Sequence, residues 1–185
     1  LALHLDGARI WNAHVASGVA LNEYGKYFET ISVCLSKGLG APIGSVMLST
    51  KDRVTKARIW RKRYGAGMRQ VGLLAGAAHY ALDNNIARLS EDHRRAKALA
   101  VAIAAIDKSF VDPSLVETNI VGLDLSQANV SALEFASSAK QKGLLVSALG
   151  KSYLRLVTHM DITDEANERA GAILQELLER AFVLK

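Results

Sequence analysis

The sequence predicts an α/β chain in two units, a sheet-containing unit over residues 1–88 and an α+β unit over residues 89–185. Three observations predict it. In the first half, short aliphatic or β-branched runs (Leu1–Leu5, Thr30–Leu35, Ser45–Ser49) alternate with helical stretches, the signature of layered α/β packing. The pair Asn84-Asn85 then interrupts the pattern, and from Ser90 onward the order becomes α-β-α-β-α.

Each element has its own local reason. Leu1–Leu5 is apolar around His4 and reads as a strand buried on both sides. Residues 11–29 are mixed, with Gly18 and Gly25 breaking any long helix. Thr30–Leu35 is β-branched, Gly38–Gly44 is a loop around Pro42, and Ser45–Ser49 is a further strand. Asp52–Tyr64 reads as helix, Gly65-Ala66-Gly67 as a break, and Arg69–Leu82 as a small-residue helix. In the second half Ser90 is placed to cap a helix whose first turn carries Glu91 and Asp92, with Leu99, Ala102, Ile103 and Ile106 at helical spacing. Asp112-Pro113 ends that unit, and Thr118–Leu125 alternates like a strand. Ser131-x-x-Glu134 is a capping box opening a helix that Gly143 closes. Tyr153–Met160 is a strand with Leu154 and Leu156 facing inward, and Asp164-Glu165 opens an amphipathic helix through Leu178.

Composition narrows the class. Half of the 185 residues are hydrophobic and 22% are charged, enough for a genuine core. No apolar run approaches the roughly 18 residues a bilayer crossing requires, so no membrane partner is expected. Leu1-Ala2-Leu3 lacks the basic segment of a signal peptide, and a lone cysteine, Cys34, suits a reducing cytoplasm. Cys34 itself reads as a small buried hydrophobe. The chain does not begin with Met and opens inside a strand, which reads as the later part of a longer protein or one product of a cut chain. Net charge is +5, concentrated at Lys51, Arg53, Lys56, Arg58, Arg61, Lys62 and Arg63. That run reads as a solvated helix face or a subunit contact rather than a nucleic-acid surface. The five histidines have no metal-ligand spacing, so no metal site is expected.

Three residues carry possible chemistry in the first half. Lys37 ends the apolar run Val33–Ser36 and precedes Gly38-Leu39-Gly40. By itself it reads as a surface lysine. Desolvated at a strand mouth, however, its amine would be free to attack a carbonyl. Asp6 and Arg9 share the end of the first strand, where they could form a structural ion pair. Read alone the ion pair is favoured; the alternative is that they hold a ligand at the strand C-terminal edge, where open α/β sheets bind. Gly38, Gly40 and Gly44 do not have the spacing of a nucleotide-binding loop.

Taken together, "HLDGARIWNA", "CLSKGLGAPIGS", "RKRYGAGMRQ" and "TNIV" in this order resemble the second half of a threonine aldolase. The resemblance covers nearly the whole chain. It implies the end of the mostly parallel-sheet large domain of a fold type I pyridoxal-phosphate enzyme, followed by a small C-terminal domain. Lys37 would then be the lysine that bonds the cofactor aldehyde, and Asp6 the partner of the pyridine nitrogen. Arg9 would contact the substrate carboxylate or the cofactor's ring oxygen. Arg69 would reach the cofactor phosphate, in a neighbouring subunit, and Arg155 would be a second clamp on the carboxylate. Arg155 read without the resemblance could simply point to water, since Leu154 and Leu156 face the other way.

The implied activity is cleavage of L-threonine or L-allo-threonine to glycine and an aldehyde, by a cytoplasmic homotetramer with sites shared between subunits. β-Elimination, racemisation or serine hydroxymethyl transfer on the same scaffold, or a non-catalytic binding module, are the alternatives. The family's ring-stacking histidine and phosphate-binding turn would precede Leu1, so residues 1–185 alone are expected to bind cofactor poorly. Related sequences carry three glycines where this chain has Gly65-Ala66-Gly67, which is tolerable unless residue 66 needs a positive φ.

Overall fold

The β-branched run at residues 30–34 forms the middle strand of a three-stranded sheet in the computed structural model, which describes residues 1–183. The chain divides into two units, Leu1–Leu89 and the residues from Ser90 onward.

The first unit contains β1 (His4–Gly7), α1 (Ile10–Ser17), α2 (Leu21–Gly25), β2 (Thr30–Cys34), β3 (Ser45–Ser49), α3 (Lys51–Arg63) and α4 (Gly72–Asn84). Its sheet runs in the order β1-β2-β3. β1 and β2 are parallel, with Asp6 opposite Ser32, and are joined through α1 and α2. β2 and β3 are antiparallel, with Cys34 opposite Ser45. The connection between them is too short for the crossover a parallel pair needs.

Two local expectations are corrected. Leu1–Leu5 is not a buried strand: pairing starts at His4, and Leu1, Ala2, Leu3 and His4 are exposed. Among the described residues β1 pairs with β2 alone, which leaves Leu1–His4 uncovered here. The small-residue helix starts at Gly72 rather than Arg69. Gln70 has φ +52°, a left-handed conformation that a right-handed helix excludes.

The core of this unit is Leu35, Leu39 and Ala41 against Ala78, Ala81 and Leu89, with Trp11 and Val15 packed on it. α3 contributes no buried residue, and all its basic side chains are exposed. Arg63 lies over the Trp60 ring at 4.9 Å, and Trp60 stacks on Tyr64 with centroids 5.9 Å apart.

The second unit comprises α5 (Leu89–Ala104), β4 (Ile120–Asp124), α6 (Ala132–Gln141), β5 (Ser147–Ala148), β6 (Tyr153–Val157) and α7 (Asp164–Val183). Its antiparallel sheet has the order β4-β6-β5. Val121, Leu123, Leu154 and Leu156 point into a core with Ile103, Phe110, Phe135, Leu174 and Leu178. Ser131 and Glu134 form the reciprocal capping box, and Gly143 adopts φ +86° beyond the end of α6. Ser90 lies inside α5 rather than capping it, because the helix begins one residue earlier. Asn119 is buried, and its Nδ2 donates to the Thr158 carbonyl at 2.8 Å. That carbonyl belongs to the chain leaving β6. No helix among the described residues is long and apolar enough to cross a membrane.

Candidate active site

β1 and β2 run parallel and in register, so the chain leaves both strands at the same edge of the sheet. Asp6 and Arg9 stand where β1 ends, and Lys37 follows the end of β2. The sheet therefore brings these three together at the strand C-terminal edge. Asp6 is exposed, and its Oδ1 accepts a hydrogen bond from the Ala8 amide at 3.1 Å. Arg9, half-buried, occupies the N-cap position of α1. Trp11 Nε1 donates to the Cys34 carbonyl at 2.8 Å, fastening the first turn of α1 to the end of β2.

Lys37 sits on a loop that is tied down on both sides. Leu35 N donates to the Gly44 carbonyl at 2.9 Å, and Ala41 N returns to the Leu35 carbonyl at 3.0 Å. Gly40 N closes a turn on the Lys37 carbonyl at 2.8 Å. Leu39 is 1% exposed, and its carbonyl accepts from Asn85 Nδ2 at 2.7 Å. The loop is thus anchored by its apolar residues while Lys37 itself is exposed. Among the described residues Lys37 is exposed, so the desolvation expected at a strand mouth is not seen here. Lys37 Nζ instead lies 3.5 Å from Cys34 Sγ, which is 3.4 Å from Ser45 Oγ.

Cys34 is therefore half-buried and engaged, not a buried hydrophobe. Its neighbours are set by strand register and by its place three residues before Lys37. Sequence reading missed this contact, and missed Trp11 as the fastener. Spacing alone could have raised Cys34, whereas the Trp11 bond depends on how α1 folds back.

Arg69 is exposed on the connection between α3 and α4. Ala66, on the same connection, keeps a negative φ, since Gln70 is the one non-glycine residue with positive φ among those described. Arg155 belongs to the second unit, at the middle of β6, opposite Gly122 on β4 and Ser147 on β5. It is half-buried, and its Nε is buried without a hydrogen-bond partner among the described residues. A buried, unanswered N–H on a guanidinium favours an anionic acceptor. No group of three or more His, Cys, Asp or Glu among the described residues could hold a metal ion.

The donor set fits a pyridine aldehyde: an accessible carboxylate for a protonated ring nitrogen and, at the same sheet edge, an accessible amine in contact with a thiol rather than a carboxylate. The family model for beta-eliminating lyases matches residues 1–127. The chain belongs to that family. This family member is 43% identical over 165 residues to the probable low-specificity L-threonine aldolase 2 of Arabidopsis thaliana, covering 89% of this chain and 46% of the relative. It is 41% identical over 180 residues to the low specificity L-threonine aldolase of Escherichia coli K12, covering 97% of this chain and 52% of the relative. The chain thus spans about half the length of the relatives it matches. Among solved structures, Leishmania major threonine aldolase superposes with a TM-score of 0.69 at 17% identity, over 98% of this chain and 52% of that one. An N-acetylornithine aminotransferase from Stenotrophomonas maltophilia gives 0.69 at 21% identity, over 100% and 48%. These structural likenesses show that this member of the beta-eliminating lyase family has the α/β fold of those enzymes.

Proposed function

We propose that the protein is a pyridoxal-phosphate-dependent carbon–carbon lyase that cleaves L-threonine and L-allo-threonine to glycine and acetaldehyde. The observation that carries this reading is the placement of Asp6 and Lys37 at one edge of a parallel strand pair. The identity to low-specificity threonine aldolases supports the substrate class. When bound, pyridoxal phosphate supplies the electron sink that accepts the pair left as Cα–Cβ breaks. Lys37 would supply the amine that holds the cofactor aldehyde, and Asp6 would be the carboxylate that favours a protonated ring nitrogen. Arg9 contacts the substrate carboxylate or the ring oxygen, and Arg155 supplies the second grip on the carboxylate, a planar bidentate match. Arg69 holds the cofactor phosphate of a neighbouring subunit in a homotetramer. The enzyme works in the cytoplasm on amino-acid metabolism and supplies glycine.

The deciding experiment is Lys37→Ala. It should abolish the borohydride-sensitive visible band of the loaded protein together with aldehyde release from threonine. Retention of both would overturn the lysine assignment. The name of the matched family favours one second reading, β-elimination. Release of pyruvate and ammonia from serine, without aldehyde from threonine, would select it.

A further inference from the structure

Glycine is a poor strand residue, and one inside a strand marks a close approach. Gly122 is such a residue, at the centre of β4 and directly across from Arg155. A Cβ built on it would lie 2.0 Å from Tyr153 Oη, 2.8 Å from Cζ and 3.1 Å from Cε2. The Tyr153 ring therefore runs along the sheet over Gly122, into the space a side chain there would fill. Tyr153, Arg155 and Gly122 share the face opposite the core, because Leu154, Leu156, Val121 and Leu123 take the inner one. Cross-strand neighbours lie roughly 4.5–5.5 Å apart, so a ring resting on Gly122 stands beside the stem of Arg155.

We propose that Tyr153, seated on Gly122, is a positioning residue that walls one flank of Arg155 and aims its guanidinium, including the unanswered Nε, at a carboxylate. The inference rests on the reading of Arg155 as the carboxylate grip. The wall needs ring volume, not the hydroxyl, and among the described residues no hydrogen bond to the Tyr153 hydroxyl constrains it. Removing the wall releases a long side chain into several rotamers and weakens the grip through ordering entropy.

The test is calorimetric binding of glycine and of glycinamide, which lacks the carboxylate, to the cofactor-loaded protein, alongside KM and kcat for threonine. Tyr153→Phe should match wild type. Tyr153→Ala and Gly122→Ala should each weaken glycine binding by on the order of tenfold, about 1.4 kcal/mol, raise KM in step and leave kcat and glycinamide binding unchanged. Gly122→Phe combined with Tyr153→Ala returns a ring from the other strand and should restore glycine binding. If Arg155→Gln fails to weaken glycine selectively, the carboxylate reading of Arg155 falls. If Arg155→Gln does so but Tyr153→Ala and Gly122→Ala do not, the positioning role falls. Weakening of both ligands equally, with a matching loss of thermal stability, would also overturn it as a merely structural effect.

Discussion

Lys37 Nζ stands 3.5 Å from Cys34 Sγ, so the amine proposed to capture an aldehyde is held by a thiol three residues earlier. The same cysteine is fixed through its carbonyl by Trp11 and through its sulfur by Ser45. A thiol is a weak acceptor that restrains an ammonium without neutralising it, as a carboxylate would. The arrangement preorders Lys37 while leaving it available.

Cys34→Ala should therefore slow attachment of pyridoxal phosphate to the cofactor-free protein. A net hydrogen bond is worth about 0.5–1.5 kcal/mol, so the expected slowing is about two- to tenfold. Cys34→Ser retains an acceptor and should lie near wild type. Borohydride trapping followed by peptide mass mapping at Lys37 reads the rate directly. Equal trapping in Cys34→Ala and wild type would show that the thiol contact has no positioning effect.

The second unit should lose stability on acidification in two stages. Burial lowers the pKa of His93 from its usual 6.5, with Asp92 opposing the shift. The unfolded chain then binds a proton that the folded one resists, so stability begins to fall below about pH 6.5. Asp164 is held below its usual 3.8 by hydrogen bonds first from Arg95 and then from Arg94. Ser131 does the same to Glu134, through its side chain first and its amide second. Carboxylates with lowered values contribute above their unfolded pKa, and that contribution disappears as pH falls through the folded one. The melting temperature should decline gently from pH 6.5 and steeply below 4. Asp164→Asn, which cannot titrate, should be less stable at pH 7 and show a flatter acid limb. Scanning calorimetry across pH 3–7 checks both, and a variant with the wild-type slope would exclude Asp164 from the transition.

The Ser131 hydroxyl accepts from the Glu134 amide, and the Glu134 carboxylate reaches back to the Ser131 amide at 3.0 Å. Ser131→Ala leaves an orphan donor in the first turn of α6 and should cost about 1 kcal/mol. For a unit of this size that is a few degrees in melting temperature. Denaturant titration gives the comparison, and an unchanged midpoint would mean that solvent caps the helix equally well.

That box was legible because it is a four-residue pattern whose physics is local. The same holds for the two glycines that break residues 11–29, and for the inward Leu154 and Leu156. What escaped depended on partners distant in sequence. Nothing in Leu1–Leu5 reveals that β1 pairs with β2 alone among the described residues. Arg69-Gln70 looks helical until Gln70 turns left-handed and delays α4 to Gly72. The candidate site divides in the same way. Asp6, Arg9 and Lys37 could be picked from strand ends, but the thiol contact needs the folded loop, and the Tyr153 wall needs the β4–β6 register.

Gly38 is where stability and chemistry are most closely joined. It follows Lys37 directly, and a Cβ there would meet Leu89 Cδ2 at 2.7 Å and Asn12 Oδ1 at 3.4 Å. Leu89 is fully buried against Leu35, Leu39 and Ala81, so it has little room to retreat. Gly38→Ala must then push the loop outward, at an overpacking cost of about 1–3 kcal/mol. The shift carries Lys37 away from the sheet edge it shares with Asp6. Small displacements of a reacting group can cost up to about 100-fold in rate, so capture of pyridoxal phosphate should fall at least tenfold at temperatures where the variant is still folded. Shortening the obstructing side chain separates the two effects. Gly38→Ala with Leu89→Val should regain capture while remaining less stable than wild type, since Leu89→Val removes buried volume. Recovery of stability without capture would show instead that the loop tolerates alanine and that the lost rate comes from elsewhere.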